Sequence, residues 1–331
     1  MERLRIGKIR GLQQIADSHG IFAMCAMDHR GSLQKMIAPR DPKSVGYEQM
    51  VERKRELCAA LAPYSSAVLL DPDTGAAQTI LSGDLPGHVG LLVSMEASGY
   101  GGGAEGRVTE LLPGWNAAKV KRMGGSAGKL LLYFRPDLPE LATRQLHVVE
   151  TVAADCTAAD LAFLVEPKTY AVGEEVGRPE LLAKRLPELV IGTARQITAL
   201  DVDVLKAEFP ADMNYEKDKG RLMDLCRRLS EASRVPWVVL SAGVDYETFA
   251  LQVEIACRAG ASGFLGGRAI WQEAMSIGDR AERMHYLRTT VADRMKRLSE
   301  IAAMHGVPWY KKLGAPDGRM GDLPPKWYEG Y

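Results

Sequence analysis

The hydrophobic pattern of this chain changes period repeatedly. Short, nearly continuous apolar runs alternate with stretches in which apolar residues recur every three or four positions. The runs are GIFAMCAMD (20–28), SSAVLLD (65–71), VGLLVSME (89–96), GKLLLYF (128–134), DLAFLVE (160–166), DVDVLKAE (201–208), VPWVVLSAG (235–243) and ASGFLGG (261–267), eight in all. Between them, YEQMVERKRELCAALA puts Met50, Leu57, Cys58 and Leu61 on one helical face, and LATRQLHVVETVAADC does the same with Leu146, Val149 and Val152. DYETFALQVEIACRAG opens on acidic residues and stops at Gly260, which are signals for the two ends of a helix. Continuous apolar strands alternating with helices predict an α/β fold whose parallel sheet is covered on its outer face. Eight such units in about 250 residues match the size of a (β/α)8 TIM barrel. An open doubly wound sheet competes, and the count of eight favours the barrel. The reading is one barrel domain over 1–331, with its core at about 20–278 and an extension over 279–331. That extension is helical at first and then Pro/Gly-rich. Trp309, Tyr310, Trp327, Tyr328 and Tyr331 make it too aromatic for free disorder and predict packing against the barrel.

Polar residues gather where the runs end: Asp28, Asp71, Glu96, Arg135, Glu166, Lys206 with Glu208, Ser241 and Arg268. In a TIM barrel the strand ends and the loops after them build the active site, although caps and turns gather there too. Alternation along a strand puts Lys206 and Glu208 on one face, with Leu205 and Ala207 opposite. With Leu205 toward the helices, Lys206 and Glu208 point at the barrel axis. Lys129 shares its face with Leu131 and Tyr133. A buried lysine is costly unless paired or neutral. Two lysines converging with Glu166 therefore describe either a structural ion-pair network or an amine nucleophile beside a proton acceptor. All three at strand ends favour the second.

The turns SAG (241–243) and GGR (266–268) precede helices at adjacent strands. Barrels commonly hold a phosphate there, on loop amides and a helix N-terminus. Arg268 adds a planar fork for a pair of oxygens, although the glycines also suit plain tight turns. Arg30, just past Asp28, reads on spacing alone as an exposed surface arginine, with a second anion near strand one as the alternative.

Composition narrows the partners. Across 331 residues, 42 basic and 42 acidic side chains cancel, so the clustered basic excess that nucleic acid requires is missing. KVKRM (119–123) reads as a solvated helix face. No apolar run is long enough to span a bilayer, and the charged start of the chain lacks the apolar core of a signal peptide. Cys25, Cys58, Cys156, Cys226 and Cys257 are scattered, without C-x-x-C spacing, and read as core residues of a reducing compartment. These features predict a soluble, cytoplasmic protein without nucleic-acid or membrane partners. GGGAEG (101–106) matches G-x-G-x-x-G but opens no helix and has no acidic residue at the dinucleotide spacing, so it reads as a loop at the rim. The six histidines show no metal-ligand spacing, and only His29 lies at a strand end. Ser241 has no histidine partner that would make a hydrolase.

Six segments, FAMCAMDHRGSL (22–33), GKLLLYFRPD (128–137), FLVEP (163–167), DVLKAEFP (203–210), PWVVLSAGV (236–244) and GFLGGRAIW (263–271), occur in this order over nearly the whole chain. Together they resemble the class I tagatose-1,6-bisphosphate aldolases, a family that includes sulfofructose-1-phosphate aldolases. The resemblance implies a metal-independent, cofactor-free lyase acting on a phosphorylated ketose. Lys206 would be its Schiff-base lysine and Glu166 its proton shuttle, with Lys129 and Asp28 as polar catalytic neighbours. Ser241, Gly243, Gly267 and Arg268 would bind the dihydroxyacetone-phosphate end, and Arg30 would approach the distal anion. His29 stands where the family pattern has a glutamine, which opens the distal contacts. Three activities follow: cleavage of a ketose 1,6-bisphosphate of tagatose or fructose type, cleavage of 6-deoxy-6-sulfofructose 1-phosphate to sulfolactaldehyde, or metabolite sensing by a barrel with weak turnover. A homo-oligomer stays open.

Overall fold

Eight parallel strands close on themselves in the order in which the chain makes them: β1 (Phe22–Ala26), β2 (Ala67–Leu70), β3 (Gly90–Ser94), β4 (Ala127–Tyr133), β5 (Ala162–Lys168), β6 (Val204–Ala207), β7 (Trp237–Leu240) and β8 (Gly263–Gly266), with β8 pairing β1. The computed structural model describes residues 5–102 and 106–331. The helices are α1 (Ile6–Ile15), α2 (Gly31–Ile37), α3 (Tyr47–Leu61), α4 (Ala76–Leu81), α5 (Ala117–Arg122), α6 (Pro139–Ala158), α7 (Pro179–Ile197), α8 (Lys219–Ala232), α9 (Tyr246–Arg258), α10 (Arg268–Trp271), α11 (Arg280–Tyr286), α12 (Ala292–His305) and α13 (Trp309–Lys312). This is the (β/α)8 TIM barrel that the eight apolar runs predict, one strand per run.

Most strands begin and end a residue or more away from their runs, and at β5 and β6 the physical reasons are visible. β5 does not stop at Glu166 but runs through Pro167 to Lys168. Pro167 costs the ladder one donor, and Phe134 N restores the pairing one step on by donating to Lys168 O at 3.0 Å. β6 is shorter than its run, beginning at Val204 and ending before Glu208. Asp201 and Asp203 precede it because they bind the Lys8 ammonium, and Glu208 is drawn away to the end of β5.

Alternation sorts the side chains into two layers. Cys25, Val68, Val93, Leu130, Val165, Leu205 and Val239 face the helices in the larger core. Met24, Leu69, Leu92, Leu164, Val204, Val238 and Leu265 fill the barrel axis. Closure depends on Gly263, which starts β8 at φ +135. A Cβ there would lie 2.0 Å from Phe22 O, so no other residue lets β8 approach β1 this closely.

The N-terminal end of the barrel is stoppered. Leu12 and Ile15 of α1 and Trp309 of α13 pack on the inner-layer residues. The C-terminal extension reaches that end after α11 and α12, which join through a π-turn at Leu287–Val291. It is anchored by fully buried Arg283, whose Nε donates to Glu56 Oε2 at 2.7 Å. The packing expected of the aromatic extension holds for buried Trp309 and for Tyr310, which packs against the same cluster. Trp327, Tyr328 and Tyr331 stay exposed; Trp327 meets the other two edge to face, and the Tyr331 hydroxyl accepts from Gly7 N of α1 at 3.2 Å. The five cysteines are buried free thiols. Among the described residues, no helix is long and apolar enough to cross a membrane.

Candidate active site

A cavity of about 580 Å³ opens at the C-terminal ends of the strands, with Asp28, Arg30, Lys129, Glu166, Lys206 and Arg268 on its wall. Its floor follows from strand register. Val165 of β5 pairs with Leu205 of β6. One step on, Glu166 and Lys206 are inward-facing cross-strand neighbours, and Lys206 Nζ lies 2.8 Å from Glu166 Oε2. The same oxygen lies 3.0 Å from Lys129 Nζ, so one carboxylate serves two ammonium groups. Lys129 also reaches Asp28 Oδ2 and Glu96 Oε1, each at 2.8 Å. The other Glu96 oxygen accepts from Leu131 N at 3.0 Å, which fixes that carboxylate against β4.

The two lysines are thus unequally provided. Burial works against the Lys129 charge, but Asp28, Glu166 and Glu96 outweigh it and hold its pKa well above the ordinary lysine value. Lys206 has Glu166 as its ionic partner among the described residues, and must share it. Burial likewise opposes the charges of Asp28 and Glu166, yet the lysines prevail and hold both carboxyls below their usual range. Asp28, Glu96 and Glu166 are committed to ammonium groups. Among the described residues no three His, Cys, Asp or Glu side chains are placed to hold a metal ion.

Residues 22–273 match the family described as DeoC/LacD family aldolase. Tagatose 1,6-diphosphate aldolase of Listeria monocytogenes is 33% identical over 95% of this chain and 97% of its own. The enzyme of the same name from Staphylococcus haemolyticus is 30% identical over 92% and 98%. The chain belongs to the DeoC/LacD aldolase family. It is an aldolase, an aldehyde-lyase. Solved structures share the fold: an archaeal fructose 1,6-bisphosphate aldolase at TM-score 0.59 and 19% identity, covering 89% of this chain and 99% of the other. Fructose-bisphosphate aldolase of Plasmodium falciparum superposes at TM-score 0.71 and 14% identity, covering 92% and 98%.

At the opposite side of the aldolase's cavity, the turns after β7 and β8 come together around Arg268. Ser241 Oγ accepts from Gly267 N at 3.4 Å. Gly243 has φ +83, and a Cβ there would lie 3.2 Å from the Arg268 guanidinium carbon, so glycine makes room for that side chain. Ala242 is held at φ 47, an uncommon conformation for alanine that turns the chain between Ser241 and Gly243. Arg268 has no carboxylate partner among the described residues. The helix it opens, α10, has only four residues, so the predicted anion site rests on the guanidinium and loop amides rather than on a helix dipole.

His29 stands between the two groups. Burial first, then Arg268 and Lys206, push its pKa down to about 4 against the pull of Asp28. Its Nδ1 is buried without a hydrogen-bond partner, 3.8 Å from Asp28 Oδ1, and its ring meets Trp271 edge-on at 5.0 Å. The imidazole lines the cavity, with Nδ1 itself buried.

All ten residues singled out from the sequence lie at this end of the barrel, but several differ in detail. Lys129 is the third residue of seven-residue β4, not a strand end. Glu208 does not point inward beside Lys206, because the strand ends at Ala207 and its carboxylate takes Lys168 Nζ and Thr169 N. Arg30 is not exposed: it donates to Ser94 Oγ at 2.9 Å, Ser98 Oγ at 3.1 Å and Glu96 O at 3.0 Å, and faces Asp73. Of the other strand-end polar residues, Asp71 is spent on buried Lys54, and Arg135 on Glu175 and Asp137. Glu96 joins the site residues through Lys129 Nζ, and its one sequence signal is its place at the end of the third apolar run. GGGAEG falls partly on residues 103–105, outside the described residues.

Proposed function

We propose that this aldolase cleaves a ketose 1,6-bisphosphate, of tagatose or fructose type, to dihydroxyacetone phosphate and glyceraldehyde 3-phosphate through an imine on Lys206. The observation that carries this reading is the inequality of the two lysines. Lys129 is surrounded by three carboxylates and stays an ammonium. Lys206 has one carboxylate, 2.8 Å away, able to accept the proton that an attacking amine must lose. The names of the relatives from Listeria and Staphylococcus support the bisphosphate substrate.

Glu166 takes a proton from Lys206, and the free amine attacks the C2 carbonyl. Glu166 returns a proton as the carbinolamine loses water to the iminium. The iminium draws the electrons of the C3–C4 bond when a base removes the C4 hydroxyl proton, which releases the aldehyde. Glu166 is that base, while the fixed charge of Lys129 steadies it and Asp28. Protonation of the enamine at C3 and addition of water then free dihydroxyacetone phosphate and Lys206. Arg268 with the loop amides of Gly243 and Gly267 holds the phosphate next to C2.

Borohydride reduction in the presence of dihydroxyacetone phosphate, followed by peptide mapping, tests the assignment. The expected result is one adduct, on Lys206, and a loss of kcat/KM on the order of 10⁵-fold in Lys206→Met. An adduct on Lys129, or none on folded protein, sinks it.

A further inference from the structure

Arg268 has a counterpart across the cavity. Arg107 lies on the wall and has no carboxylate partner among the described residues. It is held by aromatic faces instead: its guanidinium carbon is 4.6 Å from the ring centre of Tyr100 and 5.3 Å from those of Tyr133 and Tyr170. Tyr170 is buried, and its hydroxyl accepts from Arg107 N at 3.3 Å. The backbone here is pinned by paired bonds between Gly101 and Val108, at 2.8 and 3.0 Å, and by Tyr133 N donating to Thr109 Oγ1 at 3.1 Å.

Such a cage orients the guanidinium plane without neutralising its charge. An incoming oxyanion then displaces no carboxylate. The other cations of this rim differ in that respect. Arg30 is occupied by Ser94, Ser98, Glu96 O and Asp73, and Lys168 is paired with Glu208. Lys35 is exposed on α2, with no fixed partner among the described residues to orient it. Position completes the argument. Arg107 sits over the end of β4 beside Tyr133, and Arg268 follows β8, diametrically opposite in a ring of eight strands. Glu166 on β5 and Lys206 on β6 lie in the sector between them.

We propose that Arg107, in its tyrosine cage, is the specificity-determining residue for the distal anion of the substrate, a tetrahedral phosphate or sulfonate at the end of the chain remote from C1. The assignment rests on the imine reading above, with Arg268 at the proximal phosphate.

The test measures kcat/KM of the intact protein and of Arg107→Ala and Arg107→Lys on three ketose 1-phosphates: one with a 6-phosphate, one with a 6-sulfonate and one with a plain 6-hydroxyl. In Arg107→Ala, the preference for the better anionic substrate over the 6-hydroxyl compound should fall by about 10- to 100-fold, the range for a lost hydrogen-bonded charge contact. Arg107→Lys should recover part of that preference, since it keeps the charge and loses the fork. Whichever anion shows the larger fall identifies the distal group. An unchanged preference, or an equal loss on all three compounds, overturns the assignment. Reductive trapping with dihydroxyacetone phosphate separates the two readings. No adduct in the unsubstituted protein is a failure of the imine mechanism. An adduct in both proteins with an unchanged preference is a failure of Arg107 alone.

Discussion

Strand β6 meets a buried lysine–carboxylate pair at each of its ends, and the two pairs differ in kind. At the stoppered end, Lys8 of α1 lies 3.2 Å from Asp203 Oδ2, and the same carboxylate accepts from Phe163 N at 2.8 Å. Asp201 backs Lys8 at 3.5 Å, and Lys8 and Asp203 are both buried. Three residues on, at the open end, Lys206 shares Glu166 with Lys129 beside a cavity. In the first pair the carboxylate is provided with donors from two sides, and nothing further can enter. In the second, an ammonium with three donors has one shared acceptor and free space in front of it. A buried ion pair by itself says little about function, since desolvation offsets its attraction. What separates a site from a staple is the unmet capacity and the room to meet it.

Between the two carboxylates and their partners, the larger effect comes from removing the shared one. Glu166→Gln keeps the size of the side chain and deletes the proton acceptor, so kcat/KM should fall by about 10²- to 10⁴-fold. Borohydride trapping should slow in parallel. Lys8→Met at the other end should leave turnover per folded molecule intact and cost about 3 kcal/mol of stability in urea titrations. The low end of the range for a broken buried pair applies because Asp203 can take up a proton. If Lys8→Met lowered kcat/KM of fully folded protein, the two ends would be coupled through β6 and the contrast between them would collapse.

How much of this was legible in the sequence depends on the range of the interaction. The barrel was readable because eight apolar runs and the helical spacing between them are local signals, and inward-facing Lys206 follows from alternation with Leu205. Boundaries failed where a side chain outside the strand decided them: Asp203 is claimed by Lys8, and Glu208 by Lys168 and Thr169 N, neither visible in the run itself. The fifth run reads as closing at Glu166, yet the ladder resumes past Pro167. Arg30 looked exposed because its partners Ser94, Ser98 and Asp73 are contributed by two other strand-end loops. Arg107 carried no signal at all. Its significance comes from tyrosines at positions 100, 133 and 170, which only the closed barrel brings to one place.

The smallest effect sharpens the comparison through pH. Burial raises the Asp203 carboxyl to about 6, with Lys8 pulling the other way. Between the ordinary carboxyl value near 4 and that pKa, the folded chain holds a proton that the unfolded chain releases. The stability this group contributes is therefore complete below about pH 4 and lost as pH rises through about 6. His29 behaves oppositely. With its pKa pushed down to about 4, the unfolded chain binds the extra proton between there and about 6.5. Its contribution is present above about pH 6.5 and lost as pH falls through about 4. Each shift is worth about 3 kcal/mol at most, and across pH 4–6 the two slopes oppose each other. Asp203→Asn should leave a stability that rises from pH 4.5 to 6.5, and His29→Gln one that falls from pH 4.5 to 6. Urea midpoints of the two variants and the unsubstituted protein at five pH values give the three slopes. Parallel curves would mean that neither group is held away from its ordinary pKa, and that the two ends of the barrel do not differ electrostatically in the way their geometry demands.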